Sequence, residues 1–364
     1  MQLHLTSEQT LLRDSAVKFS ESAGPKVARR FRHADPSFAS ERLRQAGELG
    51  WIGMLAPASA GGLGLGLTEL ALVLEQAGRG LVCEPIGLAA ISAAALAQGA
   101  TPHVMLAPVM AGDAVVVPAL QETGFADDPL APRTRVAGTA RALRVTGQKA
   151  FVCADGAAGF LVSAAAQDGP VLCYVAHDAG GLTLSTTQTV EGRKLATLSL
   201  AETPADLIAA HSSSRSAVEA LYNLVLLATA CELLGVMERA HDITLDYLRI
   251  RKQFGKLIGS FQALQHQAVN MYVRIETVRS LVYEVTAHND VFAIDPAMAM
   301  AAKAKASEDA LFVTESCVQL HGAIGFTDEH DIGLYLKRAM LLSSLCGNAA
   351  AQRRRYVAAA NLTS

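Results

Sequence analysis

The sequence predicts a multidomain α+β protein in three parts: an N-terminal helical domain over residues 1–112, a central antiparallel β-barrel or sandwich over 113–211, and a C-terminal four-helix bundle over 212–364. Its 364 residues exceed the size of one ordinary domain. Hydrophobic residues make up 51% of the chain, and many are alanine, a strong helix former. The hydrophobic period changes from helical spacing to short β-rich runs near residue 114 and returns to helical spacing near residue 217.

The N-terminal region shows helical spacing of its apolar residues from Ser7, the expected N-cap, onward. The glycine-rich stretch Gly61–Gly66 interrupts this pattern. Because neither a preceding strand nor a following Lys-Ser/Thr accompanies it, we predict a turn rather than a phosphate-binding loop. A helix is predicted over Thr68–Gly78, closed by the basic residue Arg79 and by Gly80.

The central region contains short β-rich runs separated by Gly, Asp and Pro at intervals typical of an antiparallel barrel or sandwich. These runs are Val115–Val117, Leu143–Thr146, Phe160–Val162, Val171–Val175 and Leu182–Leu184. The serines of 212–214 follow this region and predict a hinge.

Four helices are predicted after the hinge, at about 217–250, 261–289, 296–320 and 343–360. The longest apolar run, Leu221–Met237, contains polar residues and is too short to span a bilayer, so we expect a buried helix and no membrane span.

Composition excludes some classes of protein. A net charge of −3 argues against nucleic-acid binding, and the longest basic run, Arg353–Arg355, is expected on a solvated helix face, with phosphate contact as the alternative. The six cysteines lack metal-ligand spacing, which predicts reduced thiols and no metal site. The first ten residues show no basic region followed by an apolar run, so we expect no signal peptide and a cytoplasmic protein.

One short stretch, Arg251–His266, mixes residue types that a plain core helix does not need. Arg251 offers a fork of donors suited to phosphate oxygens, Phe254 adds an aromatic face, and Gly255 permits a helix-ending backbone. Gln262 and Gln265 add amide donors. The stretch predicts a helix end, a turn and a helix start, which form either a solvated corner or a site for a polar ligand.

A second stretch, Gln319–Asp331, follows a predicted helix. With Arg251–His266 it resembles the acyl-CoA dehydrogenase family, whose members carry an Arg-x-x-Phe-Gly turn and a later Gln-x-x-Gly-Gly turn. The resemblance extends over essentially the whole chain, since the following segments look like N-terminal landmarks of the family: Gly50–Met54, Ala60–Gly64 and Glu75–Arg79.

The resemblance implies the acyl-CoA dehydrogenase fold, an FAD cofactor and an acyl-CoA substrate. It also implies a homo- or hetero-tetramer and an electron-transferring flavoprotein as acceptor. In the family the two motifs reach across a dimer interface to the FAD of the neighbouring subunit. The matching residues here, with Ala323 in place of the second glycine, are Arg251, Phe254, Gln262, Gln319 and Gly322.

The family's catalytic base is a glutamate that removes the α-proton of the thioester while hydride passes to the flavin. At its two usual positions this chain has Cys346 and Val225, so the catalytic residue is unknown. Glu232 lies about two helical turns after Val225 and is either a displaced base or a buried glutamate paired to a neighbouring helix. We expect Cys346 to be a small buried thiol, since no adjacent histidine lowers its pKa.

The family's flavin loop in the β domain is also altered. The matching segment, Leu120–Asp128, keeps Glu122 but lacks the family's Gly-Ser-Asp sequence. Phe151 stands where the family has an aromatic residue beside the flavin, and it is equally consistent with a barrel-core residue.

Three hypotheses follow. The chain is an ordinary homo-oligomeric dehydrogenase with Glu232 as base, or it is a partner subunit without a base that completes the FAD site of a catalytic sister chain. Some relatives acting on ring-bearing substrates such as steroid side chains are built in the second way. A flavin-free scaffold is the third.

Overall fold

The computed structural model describes residues 5–99, 101–123, 128–139, 142–208 and 214–361. Its N-terminal part is helical, as predicted, and the first helix is capped by Thr6 rather than Ser7, because the Thr6 hydroxyl accepts from the backbone N–H of Gln9. The helices are α1 Ser7–Glu21, α2 Gly24–Phe31, α3 Ser40–Glu48, α4 Leu67–Arg79, α5 Ile86–Leu96 and α6 Leu106–Met110.

The glycine-rich stretch before α4 is a turn, as predicted. Gly66 is the N-cap of α4, and its N–H donates to the Glu69 carboxylate at 3.0 Å. Gly80 is the C-cap.

The central part is a mostly antiparallel β-barrel. Five strands close a ring in the order β4–β5–β7–β3–β2, and β2 returns to β4 through a single parallel pair, Arg135 with Ala165. The remaining two strands lie outside the ring, where β1 pairs with β4 and β6 pairs with β7. The bounds are β1 Val115–Ala119, β2 Arg135–Thr139, β3 Ala142–Val152, β4 Ala157–Ala166, β5 Gly169–Ala176, β6 Leu182–Gln188 and β7 Lys194–Leu207.

The C-terminal part has one helix more than predicted. The helix over Ile332–Ser344 was not predicted, and the helix expected near 343–360 begins only at Ala349, after a turn at residues 345–348 in which Cys346 and Gly347 have positive φ angles of 53° and 93°. The helices are α7 Ser214–Ile250, α8 Gln262–His288, α9 Pro296–His321, α10 Ile332–Ser344 and α11 Ala349–Asn361.

The long helix α7 is the core of the molecule. By length and composition it could cross a membrane, but 94% of its most apolar window is buried inside the fold. It crosses α4 at two reciprocal glycines: a Cβ on Gly78 would lie 2.1 Å from the Glu232 carbonyl oxygen, and one on Gly235 would lie 1.8 Å from the Glu75 carbonyl oxygen. This close crossing fixes the backbone of Glu232 against the N-terminal domain.

The predicted hinge at Ser212 and Ser213 lies outside the described residues. The domain boundaries at 112 and 211 stay predictions.

Candidate active-site cleft and cofactor-binding surface

The structure brings Glu232 and the residues at the family's two usual glutamate positions, Val225 and Cys346, to one cleft. Val225 and Glu232 line it from α7, and Cys346 lines it from the break between α10 and α11. The other walls are α4, α5 and the end of β3, and they are mostly apolar. The cleft encloses ≈ 80 Å³, whereas pockets for drug-sized ligands measure about 300–1,000 Å³.

Glu232 is paired to a neighbouring helix. This pairing is one of the two interpretations that the sequence left open for this residue. Its carboxylate lies 2.5 Å from the Arg338 guanidinium on α10. Arg338 is completely buried. The Glu232 carboxylate is therefore already engaged by a buried cation rather than free to meet a substrate.

Arg338 joins the three parts of the chain. Besides Glu232 on α7, it pairs with Glu191 in the β6–β7 turn and donates to the Val82 carbonyl at 3.2 Å. Burial opposes ionisation of Glu191, but the guanidiniums of Arg338 and Arg193 outweigh it, so the pKa of Glu191 is lowered. Glu191 and Arg338 therefore form an ion pair at neutral pH.

Cys346 lies in a tightly bonded turn. Its N–H donates to the Gln121 Oε1 at 2.8 Å, and its carbonyl accepts from the Tyr222 hydroxyl at 3.1 Å. The buried Lys303 ammonium donates to the carbonyls of Ser343 and Gly347 on either side of it, at 3.1 and 3.3 Å. Burial lowers the pKa of Lys303 to about 8.

Phe151 is not a barrel-core residue. Its side chain is 54% exposed and lines the cleft, and its φ angle is 56° at an irregularity in the β3–β7 pairing. The core interpretation of Phe151 is therefore wrong. A left-handed backbone is unusual for a bulky residue and persists only where the surroundings enforce it.

Glu122 faces the barrel interior. Its carboxylate accepts from the Lys149 ammonium at 2.8 Å and from the Thr134 N–H at 2.9 Å. Burial opposes its ionisation, but these donors outweigh burial and lower its pKa to about 2. Residues 124–127 of the expected flavin loop lie outside the described residues.

The stretch that begins at Arg251 forms the predicted helix end, turn and helix start. After α7, the strands β8 Lys252–Gln253 and β9 Lys256–Leu257 form a two-stranded hairpin before α8. Phe254 at its tip is 90% exposed, with φ of 55°. The Arg251 side chain is exposed and, within the described part of the chain, has no hydrogen bond or ion pair.

The Gln319 motif lies beside the end of α7. The Tyr247 ring, one turn before Arg251, stacks on the His321 ring with centroids 4.4 Å apart. His321 precedes Gly322, whose φ is 66° and on which an added Cβ would meet nothing within 4 Å. Gln319, Gly322 and Ala323 are exposed, and Gln262 is exposed on the first turn of α8.

The cleft lies far from the exposed surface formed by the Arg251 and Gln319 motifs. Glu232 and Arg251 are separated by nineteen residues, most of them in α7, which corresponds to about 28 Å along the helix axis. The expected cofactor residues therefore do not line this chain's own cleft.

Sequence reasoning missed Arg338 and Gln121. Arg338 could have been found, since it lies on the buried face of α10 at helical spacing from Leu334 and Leu342. Gln121 carries no local signal, because its partner Cys346 is 225 residues away.

Models of two domains of one family match the chain: acyl-CoA dehydrogenase, N-terminal domain, over residues 6–104, and acyl-CoA dehydrogenase, C-terminal domain, over residues 198–360. One chain of a variant of the Tcur3481–Tcur3483 steroid ACAD is 31% identical, with a TM-score of 0.91, and the match covers 98% of this chain and 99% of that one. The protein belongs to the acyl-CoA dehydrogenase family.

Two further relatives are similar to this chain over nearly its whole length. Acyl-CoA dehydrogenase IpdE2 of Mycolicibacterium smegmatis is 28% identical over 97% of this chain and 99% of its own length. A chain of the ChsE4–ChsE5 complex from Mycobacterium tuberculosis is 24% identical, with a TM-score of 0.86 over 98% of this chain and 97% of that one, which shows the shared fold.

FAD is the cofactor of this family, so the cofactor prediction is confirmed at the family level. The cleft and the exposed surface around Arg251 do not suit FAD equally well. None of the expected cofactor residues lines the cleft, whereas exposed Arg251 and the open space over Gly322 suit an anionic cofactor approaching from outside. Within the described residues, no group of three or more His, Cys, Asp or Glu is arranged to hold a metal ion.

Proposed function

We propose that this chain is the partner-type subunit of a hetero-oligomeric acyl-CoA dehydrogenase. It contributes Arg251, Phe254, Gln262, Gln319 and Gly322 to an FAD site whose catalytic carboxylate belongs to a second chain. FAD, when bound, accepts the hydride from the acyl β-carbon. This chain's residues bind and orient the cofactor and exclude water at that shared site.

The observation that carries the proposal is the pairing of Glu232 with Arg338. Glu232 and Glu84 are the carboxylates that line the cleft, and each is already engaged by an arginine. Glu84 is buried and lies 3.3 Å from the Arg42 Nε. No carboxylate among the described cleft residues is thus held ready to accept an α-proton.

The exposed surface supports a second chain as partner. Phe254 is joined by Ile250 at the end of α7 and by Val269 and Val273 on α8, all more than half exposed. An apolar surface beside an unpaired cation is typical of an interface that also touches a charged ligand. The Tcur3481–Tcur3483 and ChsE4–ChsE5 relatives are named as pairs of proteins, which agrees with a hetero-oligomer.

The substrate class we propose is an acyl-CoA with a bulky, ring-bearing acyl group, since the relative at 31% identity is described as a steroid ACAD. An electron-transferring flavoprotein is the proposed acceptor. The proposed compartment is the cytoplasm.

A second candidate is a homo-oligomeric dehydrogenase with Glu232 as its base. It is favoured by the position of Glu232, which lines the cleft together with Val225 and Cys346. In that case Arg338 would have to release the carboxylate during turnover.

The test is the visible absorption spectrum of the purified chain, with its mass in solution. We expect a colourless chain that turns yellow when co-purified with a sister chain carrying a glutamate at either usual position. Stoichiometric flavin bands on a homo-oligomer would overturn the proposal, and Glu232→Gln would then be expected to abolish turnover while FAD stays bound.

A further inference from the structure

Three aromatic rings form a cluster at the segment Gly322–Asp331, here called the 322–331 segment. The His321 ring stacks on the Tyr247 ring, with centroids 4.4 Å apart, and contacts the tilted His330 ring at 4.3 Å. Tyr247 and His330 meet edge-on at 6.3 Å. Tyr247 belongs to the last turn of α7, and His321 is the last residue of α9. The cluster therefore connects the two segments that carry the cofactor residues.

Hydrogen bonds assign one proton to each imidazole. The Nδ1 of His321 lies 2.8 Å from the Cys317 carbonyl oxygen, which can only accept, so Nδ1 carries the hydrogen. The Nε2 of His321 is then bare, and it is buried without a partner among the described residues. The Nδ1 of His330 accepts from the Ile332 N–H at 3.2 Å, so His330 carries its hydrogen on Nε2. Both rings are neutral in this arrangement.

Protonation disrupts the arrangement at either ring. A proton on the Nε2 of His321 creates a buried donor without an acceptor. A proton on the Nδ1 of His330 opposes the Ile332 N–H and removes that bond. It also places a positive charge at the N-terminus of α10, where the helix dipole is unfavourable to cations. Protonation of both rings would place two cations in contact.

The charged groups around the pair do not offset these costs. Burial lowers the pKa of His321, and neighbouring His330 lowers it further, against the raising effect of the Cys317 carbonyl. Burial likewise lowers the pKa of His330, Asp331 raises it, and Arg29 lowers it. Arg29, on α2, is paired with Asp331, so that carboxylate is already neutralised.

Among the described residues, Glu329 directly precedes His330 and is exposed to solvent. Helix α7 presents the Tyr247 ring, and its hydroxyl donates to the His321 carbonyl at 3.4 Å. Helix α10 presents the N–H of Ile332. On the outer side of the segment, Asp328 is paired with Arg32 and lies 3.5 Å from Lys337.

We propose that the His321–His330 pair is a pH-sensitive switch, which holds the 322–331 segment in place at neutral pH and releases it on acidification. Gly322, with its positive φ, joins the segment to α9, and Phe326 within it is 79% exposed. Given the proposed function, release of the segment withdraws one wall of the shared cofactor site. Acid therefore weakens cofactor binding and subunit assembly together.

The direction of this pH effect follows from proton linkage. Both native pKa values lie below the ordinary 6.5, so the released segment binds more protons than the closed one once the pH falls below about 6.5. Stability of the closed segment is complete above that pH and is lost as the pH falls toward the native pKa values. The opening constant should rise by about tenfold per pH unit for each proton taken up.

The test is amide hydrogen exchange of the 322–331 peptides in the full chain at pH 7.5, 6.5 and 5.5, corrected for intrinsic rates. Between pH 6.5 and 5.5 we expect the opening constant to rise by about five- to thirtyfold, because an ordinary imidazole is already half protonated at pH 6.5. In His330→Asn the amide oxygen can still accept from the Ile332 N–H, and in His321→Phe the ring stacking on Tyr247 is kept. The double variant should change less than about twofold over this range.

The matched control is His288→Asn, which removes an exposed histidine at the end of α8 and should leave the pH dependence unchanged. Protection of wild type that does not change with pH, or a double variant with the wild-type pH dependence, would overturn the proposal. If the double variant does not fold, the single variant His330→Asn takes its place in the test. Exchange is measured on this chain itself, so flavin on the isolated chain would refute the proposed function and leave this result standing.

Discussion

The Glu232 carboxylate and the Arg338 guanidinium lie 2.5 Å apart and join α7 to α10 beside the cleft. Arg338 also holds Glu191 from the barrel, so one buried cation serves two carboxylates from different parts of the chain. A base must be free to take a proton from the substrate, whereas the Glu232 carboxylate is already engaged by the Arg338 guanidinium. The pair thus has a structural role that agrees with a subunit lacking its own base.

Arg338→Met should destabilise the protein by about 3–5 kcal/mol, because the mostly buried Glu191 and Glu232 lose the cation that they share and Glu191 keeps only Arg193. The measurement is the first urea unfolding transition at pH 7. The loss should shrink toward pH 5, where Glu191, whose pKa Arg338 holds below its ordinary value, can take up a proton.

The control for Arg338→Met is Lys337→Met, on the same helix. Lys337 pairs with the exposed Asp328, and its loss should cost less than about 0.5 kcal/mol. Equal stability of Arg338→Met and wild type would show that the cluster is not needed for the fold.

Arg251→Ala should weaken FAD binding to the assembled protein by about 1.5–3 kcal/mol, or roughly ten- to a hundredfold, because a charge-assisted contact is lost. Flavin fluorescence on titration of the apoprotein measures this. Arg249→Ala is the matched control, since Arg249 is exposed near the end of the same helix and paired with Asp246. Unchanged affinity in Arg251→Ala would remove this residue from the cofactor site.

The sequence predicts those features that depend on local spacing. The Arg251 turn and the capped helix α4 were predicted because glycine, apolar periodicity and capping residues specify them within one or two turns. Helix α10 was missed, and the last helix was predicted to begin too early, although Gly347 and Asn348 signal its start: the Asn348 side chain caps α11 by accepting from the Ala351 N–H at 3.0 Å.

Long-range partners could not be predicted in this way. Glu191 lies 147 residues from Arg338, in another part of the chain, and nothing near either residue indicates the other. The 14-residue strand β7 was missed because polar residues and Pro204 interrupt its apolar pattern, and its stability comes from pairing with three other strands. The retained motifs were visible in the sequence, but their distance from the cleft required the structure.

Lys303→Met should reveal the cost of a buried ammonium. The native pKa of Lys303 is about 8, well below the ordinary 10.5, so between these values the unfolded chain binds more protons than the native one. Stability of wild type should therefore rise with pH relative to the variant, by about 1.5 kcal/mol between pH 8 and 9.5. If the difference in unfolding free energy between wild type and Lys303→Met stayed constant across this pH range, Lys303 would keep its ordinary pKa. Lys305→Met, a partly exposed neighbour paired with Asp309, is the control.

Gln121→Leu should expose the Cys346 turn. Gln121 bonds to both walls of the cleft: its carbonyl accepts from the Ala150 N–H beside Phe151, and its Oε1 accepts from the Cys346 N–H. Both Phe151 and Cys346 have positive φ, which such residues keep only under restraint. Loss of the side-chain bond, worth about 1 kcal/mol, should raise the alkylation rate of Cys346 by about three- to tenfold.

Iodoacetamide labelling with peptide mass spectrometry measures the Cys346 rate, and Cys153 in the same cleft reports general opening. Selective acceleration at Cys346 means that Gln121 holds the turn closed against the barrel. Equal acceleration at both thiols would mean that the cleft opens as a whole, and no change at either would show that the turn is held by Tyr222 and Lys303 without Gln121.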